Sequence, residues 1–255
     1  MSALIGILEN IRRFSREREI TDYVMPVWLP FVPVIISVAA SILIIIGAQT
    51  RGMDAAMAGM GPAMGLAFLG NLIMVFVLYK WLKRRNEHFK RTKLMYSELA
   101  SLFEKLGASR AATIRGIVKE MEVEQPERSP GFWVILCLFI PLLTLYVYHF
   151  LNKEFHKHSV RERHLAEDIR ASLEELGVTR FPAEYPAEVP NRSTILYIIL
   201  TIVTLGIFGL YWVYTLTKDP NEHFRSHRSI EKSLVSALER AVEEKLPPKG
   251  TAGAG

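Results

Sequence analysis

A segment reading Asn86-Glu87-His88-Phe89 returns as Asn221-Glu222-His223-Phe224 and, in degenerate form, as Asn152-Lys153-Glu154-Phe155. Each copy follows an apolar stretch that ends in aromatic residues. Each leads into a charged segment with helical periodicity, and these close alike, at Lys105-Leu106-Gly107, Glu175-Leu176-Gly177 and Lys245-Leu246-Pro247. Self-similarity at a spacing of about 70 residues identifies the building block of a fold before any single motif does. Here the block is a membrane segment plus the helix that follows it.

The apolar residues make up 50% of the chain and are blocked together instead of scattered. Residues 27–48, 62–82, 132–151 and 194–216 carry almost no charge, and each supplies about 20 residues, what a helix needs to cross a 30 Å hydrocarbon layer. The expected fold class is an all-α integral membrane protein: a transmembrane hairpin, two further membrane segments, and a cytoplasmic bundle of amphipathic helices. The start, Met1-Ser2-Ala3-Leu4, turns charged at Glu9 without an apolar run and cleavage site, so no removable signal is expected. A lone cysteine, Cys137, excludes an intramolecular disulfide and a cysteine-based zinc site.

Charge places the segments. Lys and Arg number 4 in residues 1–24, 1 in 49–61, 12 in 80–131, 7 in 152–193 and 7 in 216–255. The 49–61 stretch reads as an external loop, which makes the first two segments a spanning hairpin in the cell membrane with cytoplasmic termini. Lys83, Arg84, Arg85, Lys90 and Arg91 follow the second segment directly and are expected to meet anionic lipid headgroups. No basic face stands away from the bilayer, so nucleic acid is not an expected partner. Four plain spans would put residues 152–193, with Lys153, Lys157, Arg161 and Arg163, outside, against the charge rule and against the repeat. Re-entrant hairpins, broken at Pro141 and at Thr204-Leu205-Gly206-Ile207-Phe208-Gly209, remove both conflicts. From the sequence both topologies stay open.

The charged segments carry apolar stripes at spacings of three and four: Thr92, Met95, Leu99, Leu102 and Leu106; Leu165, Ile169, Leu173 and Leu176; Ile230, Leu234, Leu238 and Val242. Three such stripes are expected to bury one another. Asp219, Pro220 and Glu222 predict the start of the third helix, whereas nothing between Trp81 and Asn86 interrupts the first. Glu122–Pro130 and Val178–Pro190 read as linkers, and a short helix is predicted around Ser109–Met121. The resulting division is an N-terminal basic amphipathic helix (1–22), repeat 1 (23–130), repeat 2 (131–190), repeat 3 (191–247) and a tail (248–255). The first helix carries Leu4, Ile5, Leu8, Ile11 and Phe14 on one side, which fits a membrane-surface helix better than one docked on the bundle.

Candidate chemistry is sparse. His223 and His227 lie four apart beside Glu222, and the other copies offer Glu87 with His88 and Glu154 with His158, so a metal could be shared between repeats. No His-Glu-x-x-His pattern accompanies them, and a solvated polar face is the simpler reading, so no cofactor is expected. Asn71 is the one amide at mid-depth in the second segment, either a functional group or a packing contact against a small-residue face such as Gly61-Pro62-Ala63-Met64-Gly65, Ser37 and Ser41. No acid or base lies deep in an apolar run, and neither a phosphate loop nor a nucleophile elbow is present. The expected function is therefore non-catalytic: a scaffold, membrane-organising or assembly module, as a homo-oligomer or with a membrane protein partner. The alternatives are a channel or small transporter subunit with a path near Asn71, and a metal or pH sensor using His223 and His227.

The stretch Thr204-Leu205-Gly206-Ile207-Phe208-Gly209-Leu210-Tyr211-Trp212-Val213-Tyr214 resembles the signature of an uncharacterised membrane family of bacteria and archaea, a domain of unknown function with a Thr-x-Gly-Ile-aromatic-Gly-x-Tyr-Trp core. The resemblance covers residues 190–245. The third segment keeps Tyr146 at the place of Tyr211 and has Pro141 where Gly206 stands; the first repeat lacks the core. The resemblance implies a small helical membrane module with no established activity.

Overall fold

The computed structural model describes residues 2–178 and 185–245, and all regular structure among them is helical. Pro182 of the second linker, the Leu246-Pro247 close of the third repeat and the 248–255 tail lie outside the described residues. The elements are α1 (Ser2–Thr21), a 3-10 turn (Leu29–Phe31), α2 (Val32–Arg51), α3 (Met53–Leu106), α4 (Ala111–Glu124), α5 (Pro130–Phe139), α6 (Leu143–Glu175), α7 (Thr194–Val203) and α8 (Ile207–Lys245).

Two stretches, Leu29–Arg51 and the apolar half of α3, are long and apolar enough to cross a membrane. The external loop expected over 49–61 is in fact a single residue: Gly52 alone separates α2 from α3, at φ 84°. Glycine takes that left-handed conformation without a Cβ clash, and helix resumes at once. The two helices then pack so closely that a Cβ on Gly70 would lie 3.4 Å from the Cα of Pro33. Ile35, Leu43, Met57 and Phe68 stay exposed on their outer faces, as lipid-facing side chains would. As expected, α3 continues past Trp81 unbroken, to a full length of 54 residues, about 80 Å at 1.5 Å per residue.

Segments 132–151 and 194–216 are not single helices. Each forms a ten-residue helix, a turn, and a long helix that runs on into the bundle. Ser129 and Ser193 cap α5 and α7 by accepting from the backbone N–H of Phe132 and Leu196. Ile140 is extended ahead of Pro141, whose ring disfavours helix at the preceding residue. The other turn uses left-handed backbone at Leu205 (φ 51°) and Gly206 (φ 95°). Gly206→Val is therefore expected to destabilise the α7–α8 turn by about 1–2 kcal/mol, read as a lower melting temperature in detergent, while Gly6→Val, at an open surface position, costs less.

The helix start expected at Asp219 and Pro220 is corrected: α8 runs through Pro220 without a break. Proline cannot donate to the carbonyl four residues back, but the Arg84 guanidinium does so instead, 2.9 Å from the Leu216 carbonyl oxygen. Asp219 is engaged by Arg192, at 2.6 and 3.0 Å, and caps nothing.

Below the apolar helices, the lower halves of α3, α6 and α8 pack with α1 and α4 around one core. Met95, Leu99 and Phe103 meet Leu165, Ile169 and Leu173 and then Leu234, Leu238 and Ala241, with Ile114, Val118 and Met121 of α4 closing one side. The membrane-surface reading of α1 is also corrected, since Leu8, Ile11 and Phe14 are buried in this core and Arg12 pairs with Glu239 at 2.6 Å. Burying these three apolar side chains yields about 1.5–3 kcal/mol each. Gly107 and Gly177, both in left-handed conformation, stop α3 and α6 at matching places.

A second apolar core lies above, built from Trp81, Phe89, Tyr148, Phe155, Trp212 and Phe224. Polar contacts tie the long helices to the connecting stretches there. Asn86 binds the backbone of Arg128, which precedes α5; Ser159 accepts from Val189 N, which precedes α7; and Asn221 holds both backbone groups of Met25, which precedes α2.

Candidate functional site

Between the two apolar cores lies a layer of buried polar side chains, and the repeat explains it. Stepping by four residues from the position two after each repeat asparagine gives His88, Thr92 and Tyr96 on α3; Glu154, His158 and Glu162 on α6; and His223, His227 and Glu231 on α8. Residues four apart share a helix face, and all nine are buried. Glu154 is taken up by Arg85, at 2.8 Å, and by Arg128. Thr92 donates to the His88 carbonyl of its own helix, whereas Tyr96, Glu162 and the four imidazoles turn to the centre.

Glu162 is the hub. Its Oε2 lies 3.1 Å from His223 Nε2 and 3.0 Å from His227 Nε2, and its Oε1 lies 3.1 Å from both His158 Nε2 and the Tyr96 hydroxyl, which donates to it. His88 Nε2 stands 3.2 Å from His223 Nε2 and 3.2 Å from His158 Nε2, while His223 and His227 Nε2 are 3.4 Å apart. One ligand atom each from His88, Glu162, His223 and His227 lies within 4.8 Å of all the others. All four side chains are at most 1% exposed.

The opposite ring nitrogens are held from outside. His88 Nδ1 is 3.0 Å from Asp22 Oδ1, His227 Nδ1 3.0 Å from Glu231 Oε1, His223 Nδ1 2.7 Å from the Ala187 carbonyl oxygen and His158 Nδ1 3.1 Å from Gln125 Oε1. Each of these partners accepts, which in a neutral imidazole favours the proton on Nδ1 and leaves the lone pair on Nε2; a charged His227 carries a proton on both. Arg91 clamps the two outer carboxylates, at 2.8 Å from Asp22 and 2.8 Å from Glu231, and Arg18 reaches Glu231 at 3.3 Å.

Burial and charge divide the titrations. Burial holds His158 down to about 4 and His88 well below the usual imidazole range, against the pull of Glu162 and Asp22. At His227 burial also opposes charge, but Glu162 and Glu231 outweigh it and push the pKa up to about 10. Burial would raise Asp22, yet His88 and Arg91 keep it below the usual carboxylate range. Around the imidazoles three carboxylates (Asp22, Glu162, Glu231) face two guanidiniums (Arg18, Arg91), and to one side Glu154 faces Arg85 and Arg128, so four acids and four arginines balance across the layer. Beside the Nε2 atoms themselves the excess is acidic, which favours a proton on His227 or a metal ion there.

The sequence-predicted residues separate accordingly. His223 and His227 are buried and come together with His88 and His158, so the solvated polar face expected of them is corrected. Glu222 points outward and pairs with Lys218 at 3.3 Å, away from the imidazoles. Glu162, Asp22, Glu231 and Arg91's clamp were not found from the sequence. Of the expected headgroup cations, Lys90 is exposed and Lys83 partly so, but Arg84, Arg85 and Arg91 are internal. Burial pushes Arg84 down to about 9 and Arg85 down to about 10, which leaves both charged at neutral pH. Asn71 does not bond across to α2; it is exposed beside a crevice of about 230 Å³ shared with Val134, Cys137, Pro141 and Thr144.

The model of a domain of unknown function, DUF4234, matches residues 192–239. That span begins at Arg192, covers α7 and most of α8, and contains His223, His227 and Glu231. No curated protein and no solved structure matches the chain.

Proposed function

We propose that the protein is a non-catalytic membrane scaffold: one spanning hairpin (α2 and the upper half of α3) and two shallow re-entrant hairpins (α5–α6 and α7–α8) that carry a helical bundle on the cytoplasmic face of the cell membrane, where it presents a surface for assembly. The observation that carries this reading is the meeting of His88, Glu162 and His223, one from each repeat, in a single buried layer. Helices that share such a layer lie on one side of the bilayer, so no segment between them crosses. The ten-residue α5 and α7 extend about 15 Å each, half of a 30 Å hydrocarbon layer. Both termini are then cytoplasmic, and Lys83 and Lys90 remain available to anionic headgroups.

Sidedness tests it. With Cys137 replaced by serine, cysteine is introduced at Glu167, exposed on α6, and at Met53, exposed beside the Gly52 turn. A membrane-impermeant maleimide is expected to label position 53 in intact cells and position 167 only after permeabilisation. Labelling of position 167 from outside overturns the re-entrant arrangement.

A further inference from the structure

We propose that His88, Glu162, His223 and His227 form a structural site for one first-row divalent cation of the zinc class, an N3O centre that joins all three repeats. The argument starts from an electrostatic conflict. Asp22, Ala187 and Glu231 occupy the Nδ1 side of the three imidazoles, so in their neutral forms the Nε2 lone pairs and Glu162 Oε2 are four acceptors aimed at one another, a conflict that a proton on His227 relieves only at its own contacts. A cation between them turns that conflict into coordination.

The spacing suits it. In a tetrahedral zinc site with ligands at 2.0–2.1 Å, the donor atoms stand about 3.3–3.4 Å apart. Four of the six edges, from His88 to His223, His223 to His227, and each of His223 and His227 to Glu162 Oε2, measure 3.2, 3.4, 3.1 and 3.0 Å, and the two from His88 to His227 and Glu162 stay within 4.8 Å.

The outer shell is of the kind metal sites use. A histidine ligand donates its second ring nitrogen to a carboxylate or carbonyl, which fixes its tautomer and raises its basicity; His223 and His227 are so placed against Ala187 and Glu231, and His88 Nδ1 lies 3.0 Å from Asp22 Oδ1. The second oxygen of Glu162 is held by Tyr96 and faces His158. The donor set selects the ion class. Three imidazoles with one carboxylate and no thiolate favour zinc and its borderline neighbours over magnesium or calcium, which take all-oxygen shells, and over copper(I), which takes sulfur. Because every ligand is buried and no coordination position opens to solvent, the centre is of the closed, structural type. One ligand comes from α3, one from α6 and two from α8, so the ion crosslinks the repeats beneath the bilayer, which is a role distinct from the topology proposed above.

The test uses the full chain in detergent, with any affinity tag removed and bound metal stripped by a chelator. Zinc and cobalt(II) are the probes. The expected result is one zinc per chain, a rise in melting temperature on zinc addition, and a cobalt(II) spectrum of tetrahedral intensity in the visible. Glu162→Gln and His223→Ala are expected to weaken zinc binding at least 100-fold, and Asp22→Asn 10- to 100-fold, while Glu222→Gln leaves it unchanged. Substoichiometric binding to the wild-type chain, weak six-coordinate cobalt bands, or wild-type affinity in His223→Ala overturns the assignment. Should the ligand variants fail to fold, stoichiometry and the cobalt(II) spectrum of the wild-type chain decide alone.

Discussion

Replacing Arg91 with methionine is expected to cost about 3–5 kcal/mol, the price of leaving buried carboxylates without their counter-charge. The guanidinium is buried and splits its two arms between Asp22 and Glu231, each at 2.8 Å. Those carboxylates in turn hold the Nδ1 atoms of His88 and His227, so the loss spreads into the centre of the layer. Methionine keeps most of the volume and the unbranched shape, which confines the change to charge. The control is the triple variant Arg91→Met, Asp22→Asn, Glu231→Gln. Neutral groups in place of a buried ion set are often tolerated, so the triple variant should recover more than half of the loss, measured by thermal unfolding in detergent. Equal damage in both would mean that Arg91 acts through packing and not through charge.

The pH dependence has a definite sign in the absence of metal. His227 has a folded-state pKa of about 10, above the usual 6.5 of histidine. A raised pKa contributes stability that is fully present below pH 6.5 and is lost as pH rises toward 10. Asp22 has the opposite sense, its depressed pKa adding stability that disappears in acid.

Much of the architecture was legible in the residues, because it rests on local rules. Apolar length marked the two helices long enough to cross a membrane, Pro141 and Gly206 marked the two breaks, and spacings of three and four marked the stripes that became the lower core. The site was half legible. The repeated Asn-Glu-His-Phe points at His223, but it sets His223 beside Glu222 and His88 beside Glu87, and the acid four residues from His158, Glu154, is taken up by Arg85 and Arg128 instead. Adjacent residues on a helix point about 100° apart, whereas those four apart align, so the relevant acids are Glu162 and Glu231. Laying the three copies over one another brings His88-Glu154-His223, Thr92-His158-His227 and Tyr96-Glu162-Glu231 into register, but a polar face reads the same in sequence whether it meets water or other helices. Asp22 had no such signal. Its place is set by α1 docking on the bundle through Leu8, Ile11 and Phe14, a tertiary event that no neighbouring residue announces. The headgroup reading of Arg84, Arg85 and Arg91 failed for a related reason, since a basic run beside a membrane segment is the same in sequence whether it faces lipid or the next repeat.

Arg84 shows how far such an internal cation can reach, and its removal is the second large effect expected. Arg84→Met should cost about 3 kcal/mol or more, because the buried Leu216 carbonyl then has no donor and Asn221 Oδ1 loses a charged partner at 2.8 Å. The carbonyl is unpartnered only because residue 220 is proline. Pro220→Ala restores a backbone N–H to the helix and should therefore rescue part of the loss, so that the double variant Arg84→Met, Pro220→Ala is more stable than Arg84→Met by about 1–2 kcal/mol. In the wild-type background the same Pro220→Ala change supplies a donor to a carbonyl already served by Arg84, and its effect is expected to be smaller. The difference between the two backgrounds, obtained as a double-mutant cycle from thermal unfolding, measures the coupling of α3 to the proline turn of α8. A cycle energy near zero would show that α8 continues through Pro220 without help from Arg84.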